Sequence, residues 1–204
     1  MSAGALLLAA FGAAPAHLAV ERLYAEFATV CSHVSEAGGA ERAALAAGWT
    51  EVEPRTVAAI RDELVPYQSD LYGFWNMTHR WFARMLDGER VYVGLRAGTP
   101  DGVAVRKCGL FQFDRRTAPD AAEVGAALHA RPETVTTDFG GVLLDFPAGT
   151  PLPGRHVEVR WETHRVNPAL AGQRWARNAA RAMVGPARAP TLIIETGYSS
   201  RNPA

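Results

Sequence analysis

The chain has 204 residues, 48% hydrophobic and 21% charged, which suits a folded domain with its own core and excludes a disordered tail or a repeat array. Lysine plus arginine and aspartate plus glutamate each total 21, so the formal net charge is zero and no global field draws the protein to nucleic acid or to a membrane. Any charged partner must therefore be met by a local patch.

Residues 1–16, MSAGALLLAAFGAAPA, carry no charged side chain and fall short of the about 20 apolar residues that a membrane-spanning helix needs. An apolar stretch over 6–13 followed by Ala14, Pro15 and Ala16 as a small-x-small cleavage site before His17 predicts a secretory signal peptide. No Lys or Arg lies near Met1, which counts against that reading. Gly4, Gly12 and Pro15 count against the competing one, a buried N-terminal helix. Export would deliver a periplasmic or secreted protein, with one domain over 17–198 and a polar tail over 199–204.

Over 18–34, Val20, Leu23, Tyr24, Phe27, Val30, Cys31 and Val34 recur at intervals of three and four, which on a helix makes one buried stripe. Gly38-Gly39 breaks the chain, residues 40–47 form a short second helix, and Gly48 fits the left-handed position after it, with Trp49 returning to the core. A third helix runs over 56–64, with Val57, Ile60 and Leu64 on one face and Pro66 as its stop. Residues 67–85 fit either a helix or short aromatic strands.

The next segments are strands. Residues 81–86 and 89–96 flank Asp87-Gly88, a dipeptide suited to the two positive backbone angles of a tight hairpin. A turn over 98–102 leads to a third strand over 103–114, which makes a meander. Asp120 and Glu123 form a capping pattern for a short helix, and strands follow over 134–139, 141–146 and 155–165. Asn167-Pro168 opens a helix that runs to Gly185, and Leu192, Ile193 and Ile194 form a short buried strand. Helices first and a meander after them predict an α+β fold, with N-terminal helices packed on a mainly antiparallel sheet.

The two cysteines, Cys31 on the helical stripe and Cys108 on a strand, are either ordinary buried thiols or, in an exported protein, a disulfide joining helix to sheet. Phe27-x-x-x-Cys31, an Ala-rich helix ending in Gly48-Trp49, and a lone Cys108 together resemble small uncharacterised exported proteins of Gram-negative bacteria. The resemblance covers little more than the first half of the chain. It implies export and a disulfide, and it brings no activity with it.

No phosphate-binding glycine loop, serine elbow, zinc-protease helix or dinucleotide fingerprint occurs, and no Cys/His cluster has metal spacing, so no cofactor is expected. Cys31 and His33 point in different directions on a helix. The most pointed polar pattern is RHVEVRWETHR over 155–165. On a strand, Val157, Val159, Trp161 and Thr163 take one face, and His156, Glu158, Arg160, Glu162 and His164 the other.

His156, Glu158, Glu162 and His164 in one row can meet a divalent metal ion or supply an acid and a base; a solvated face of paired charges is the bland reading. Arg174, Arg177 and Arg181 recur at helical spacing and form a basic face suited to anionic headgroups or an acidic protein. Trp75 and Trp81, in an aromatic concentration over 67–82, are candidate partner anchors if exposed and core residues otherwise. The leading expectation is a non-enzymatic exported domain that binds a protein partner or an anionic envelope component, with peripheral membrane contact and no nucleic acid. The competing one is a hydrolase or metal-dependent enzyme using the His156 to His164 row.

Overall fold

The computed structural model describes residues 18–64, 77–138, 141–148, 151–153, 155–162 and 190–201. Four described helices, α1 Val20–Cys31, α2 Gly39–Ala46, α3 Ala58–Leu64 and α4 Ala121–Ala127, accompany eight strands. The strands are β1 Thr50–Val52, β2 Thr78–Leu86, β3 Glu89–Gly98, β4 Val105–Gln112, β5 Thr134–Asp138, β6 Gly141–Phe146, β7 Val157–Glu162 and β8 Thr191–Ser199. They form one sheet in the order β1-β2-β3-β4-β8-β7-β6-β5, antiparallel at every described pairing. The fold is α+β: two four-stranded meanders meet where β4 pairs with β8.

Local chemistry accounts for the elements read correctly from sequence. Asp87 (φ 46°) and Gly88 (φ 87°) both take positive angles, and Leu86 pairs with Glu89 across the turn. After α2, Gly48 is left-handed at φ 81°; its N–H donates to the Leu45 carbonyl and that of Trp49 to the Ala44 carbonyl, which closes the helix end. The Asp120 side chain accepts from the Ala122 N–H at 2.9 Å and starts α4. The third helix begins only at Ala58, because Pro54–Thr56 is a single tight turn and Val57 is extended.

Two elements differ from expectation. β1 had no local signal: it is three residues long and carries an exposed charge, and its pairing with β2 makes it a strand. β8 covers nine residues rather than 192–194, since it pairs with β4 along one side and β7 along the other, past the point where Glu195 ends the apolar run. Within the ambiguous 67–85 stretch, residues 78–85 lie in strand β2, and 67–76 lie outside the described residues. So do the segments predicted as signal peptide (1–16) and as basic helix (168–185).

One cluster of buried residues takes in Leu23, Phe27 and Val30 of α1 together with Phe82, Leu110 and Ile194 of the sheet. A disulfide joins Cys31 to Cys108 with Cα atoms 5.4 Å apart, and neither cysteine is exposed. Glu26, a buried carboxylate on α1, is matched by Arg22 at 3.2 Å and Arg84 at 2.8 Å.

The opposite face carries a second cluster of Trp81, Tyr92, Phe111, Ile193 and Ile60. Here Gly94 and Gly109 leave room for rings: a Cβ on Gly94 would come within 2.9 Å of Trp81 and 3.0 Å of Phe111. Gly94→Ala is therefore expected to cost about 1–3 kcal/mol by overpacking, read as a lowered urea midpoint. An unchanged midpoint would mean that the two rings move aside freely.

Candidate functional site

Side chains on a strand alternate faces, so residues directly opposed across a sheet share a face. One such row runs Thr134, Asp145, Glu158, Glu195, Gly109, Gly94 and Trp81 across seven strands. It brings three carboxylates side by side, on β6, β7 and β8, and the surrounding strands deal with them unequally.

Glu195 is buried at 4% exposure and fully matched. Arg96 Nη2 approaches Oε1 at 2.5 Å, Arg160 Nη2 approaches Oε2 at 2.6 Å, and Lys107 Nζ lies 3.3 Å from Oε1. Burial alone would raise its pKa; the fields of Arg96, Lys107 and Arg160 together outweigh that and lower it to about 2.

Asp145 accepts a 2.6 Å hydrogen bond on Oδ2 from the Thr134 hydroxyl, and its Oδ1 lies 3.7 Å from His156 Nε2. Glu158, between Asp145 and Glu195, finds no ion pair or side-chain hydrogen bond among the described residues. One ligand atom from each of Asp145, His156 and Glu158 lies within 4.8 Å of the other two.

A cleft of about 400 Å³ opens beside this group. The β7–β8 ladder ends at Val157 opposite Thr196, whereas β8 continues against β4 to Ser199. Arg106, Lys107, Arg155, His156, Glu158 and Tyr198 are among the residues lining the cleft. The Tyr198 ring has the guanidinium of Arg106 at 5.0 Å and that of Arg155 at 5.5 Å, and Arg106 also donates to the Ser35 carbonyl at 2.7 Å. Of the three basic residues lining the cleft, Lys107 is held by Glu195, and Arg106 and Arg155 gather at the Tyr198 ring.

Of the residues singled out in sequence, His156 and Glu158 come together in the cleft. Glu162 does not join them: it lies 3.8 Å from Arg160 on its own strand. Trp81 is 2% exposed, so its indole is a core ring against Gly94 and Phe111 and no exposed anchor for a partner. His164, Trp75, Arg174, Arg177 and Arg181 lie outside the described residues. Sequence reading missed Asp145, Arg106, Lys107 and Glu195. For Asp145 and Glu195 the hint was an acidic residue closing each of two apolar runs, VLLD and LIIE; Arg106 and Lys107 had none.

No described helix is long and apolar enough to cross a membrane. No family model matches the chain, and no curated protein or solved structure matches it.

Proposed function

We propose that the chain is an exported, non-enzymatic binding domain of the cell envelope, periplasmic or secreted. In this reading the cleft beside β8 takes an anionic group of an envelope component or of a protein partner. A single α+β domain over 17–198, its N-terminal helices packed on the sheet, carries that cleft. The observation behind the reading is that Arg106, Lys107 and Arg155 all line one concavity. Guanidinium and ammonium groups recognise phosphate and carboxylate by paired donation and by charge. A buried disulfide supports export, because such bonds persist in oxidising compartments.

The test is co-sedimentation of the purified chain with phosphatidylglycerol vesicles, with phosphatidylcholine vesicles as the neutral control. The chain should bind the anionic vesicles, less so as salt rises. Replacing Lys107 and Arg155 together with alanine should weaken binding by about tenfold or more, from about 1 kcal/mol per basic group at an anionic surface. Equal binding to both vesicle types, or a double variant that binds as well as the parent, would remove this reading of the cleft.

A hydrolase is the second reading, and one observation favours it: His156 and Glu158 line a concave site and not an open face. Against it, Glu162 is drawn to Arg160 and away from the other two.

A further inference from the structure

We propose that Asp145, His156 and Glu158 hold one divalent metal ion of the zinc or manganese class at the wall of the cleft. The frame that would hold it is rigid. Asp145 and Glu158 are direct partners in the β6–β7 ladder, and His156 stands immediately before β7, two residues from Glu158, with its carbonyl accepting from the Thr196 hydroxyl at 2.6 Å. Their ligand atoms already lie within 4.8 Å of one another. Metal–ligand bonds of about 2.0–2.2 Å need that triangle to close by roughly 1 Å, which is within reach of side-chain rotation alone.

Charge argues the same way. Like charges directly opposed on neighbouring strands destabilise a sheet, and here three carboxylates stand in line. Glu195 has Arg96, Arg160 and Lys107. Among the described residues, the basic group within ion-pair distance of Asp145 is His156, half-exposed and 3.7 Å away, and Glu158 has none. A divalent cation supplies the positive charge that this pair lacks.

The outer contacts fit as well. The Thr134 hydroxyl occupies Asp145 Oδ2 and leaves Oδ1 on the side of His156, the kind of hydrogen bond that orients a ligating carboxylate. One imidazole with two carboxylates suits a borderline first-row ion. Calcium takes six to eight oxygen ligands, and three protein side chains, one of them a nitrogen donor, are a poor match for it. Three ligands leave a further coordination position, which would open to the cleft, where Lys107 and Arg155 can attract an anion to it.

The test is isothermal titration of the chelator-treated, desalted full chain with zinc chloride and, separately, manganese chloride. One ion of at least one of these metals should bind per chain with saturation, and that metal should raise the melting temperature. His156→Ala and Glu158→Gln should each weaken the affinity at least tenfold while leaving the circular dichroism spectrum unchanged. Thr134→Val should weaken it by about tenfold through the carboxylate it orients, and Glu123→Gln, on α4, should not change it. The inference is overturned if neither metal binds saturably up to the millimolar range, or if uptake survives both ligand variants. It does not rest on the anion reading: metal uptake by a chain that ignores anionic vesicles upholds it, and vesicle binding without metal uptake removes it alone.

Discussion

Replacing Cys31 or Cys108 with alanine is expected to cost about 4–5 kcal/mol, the chain-entropy value for a closed loop of this length. The bond spans a sequence separation of 77 and ties α1 to β4, one of the two strands on which both meanders depend. An open chain gains that loop's freedom only in the unfolded state, so the loss should show as a melting temperature lower by about 10–15 °C. Both substitutions remove the same bond, and the double variant should cost little more than either single one. Additive losses would mean that the side chains contribute as separate core residues and the bond little. Thiol titration of denatured, unreduced protein taken from its native compartment reads the export proposal directly: two free thiols per chain would remove it.

The parts of the fold that could be read from sequence are those whose cause is local. The α1 stripe is a matter of spacing within one helix, the β2–β3 hairpin follows from Asp87-Gly88, and the end of α2 follows from Gly48. The alternation of Val157 and Val159 against Glu158 and Arg160 also needs nothing beyond its own strand: the two valines are buried, and Glu158 and Arg160 share the face of Glu195.

What could not be read is everything set by which strand lies beside which. Asp145 is a neighbour of Glu158 only because β6 pairs with β7 in one particular register. The basic side of the cleft exists because β4 pairs with β8 from Val105 opposite Ser199 to Gln112 opposite Leu192. The true extent of β8 was hidden for the same reason. A glutamate after three apolar residues looks like a strand end, until three cations from β3, β4 and β7 are placed around it.

That arrangement carries the last prediction. Glu195→Gln should cost about 3–5 kcal/mol, because it leaves Arg96 at 6% side-chain exposure and Arg160 at 14% without the anion they share. The pH dependence should identify the cause. Glu195 has a pKa of about 2 in the fold, against about 4.3 in an unfolded chain. Since the folded value is the lower one, its contribution is complete above about pH 4.3 and is lost as pH falls towards 2, a total of about 3 kcal/mol. His79, directly opposite Arg96, acts in an earlier window. Burial, then the charge of Arg96, lowers its pKa from 6.5 to about 4, so the unfolded chain takes up that proton first and stability falls between about pH 6.5 and 4. Urea midpoints measured from pH 7 to 2 should therefore decline in two stages in the parent protein. In Glu195→Gln the starting midpoint should be lower, the His79 stage should persist, and the decline below about pH 4.3 should flatten. If the variant keeps the full acid slope below that pH, other carboxylates carry it and Glu195 is not the charge on which the centre of the sheet depends.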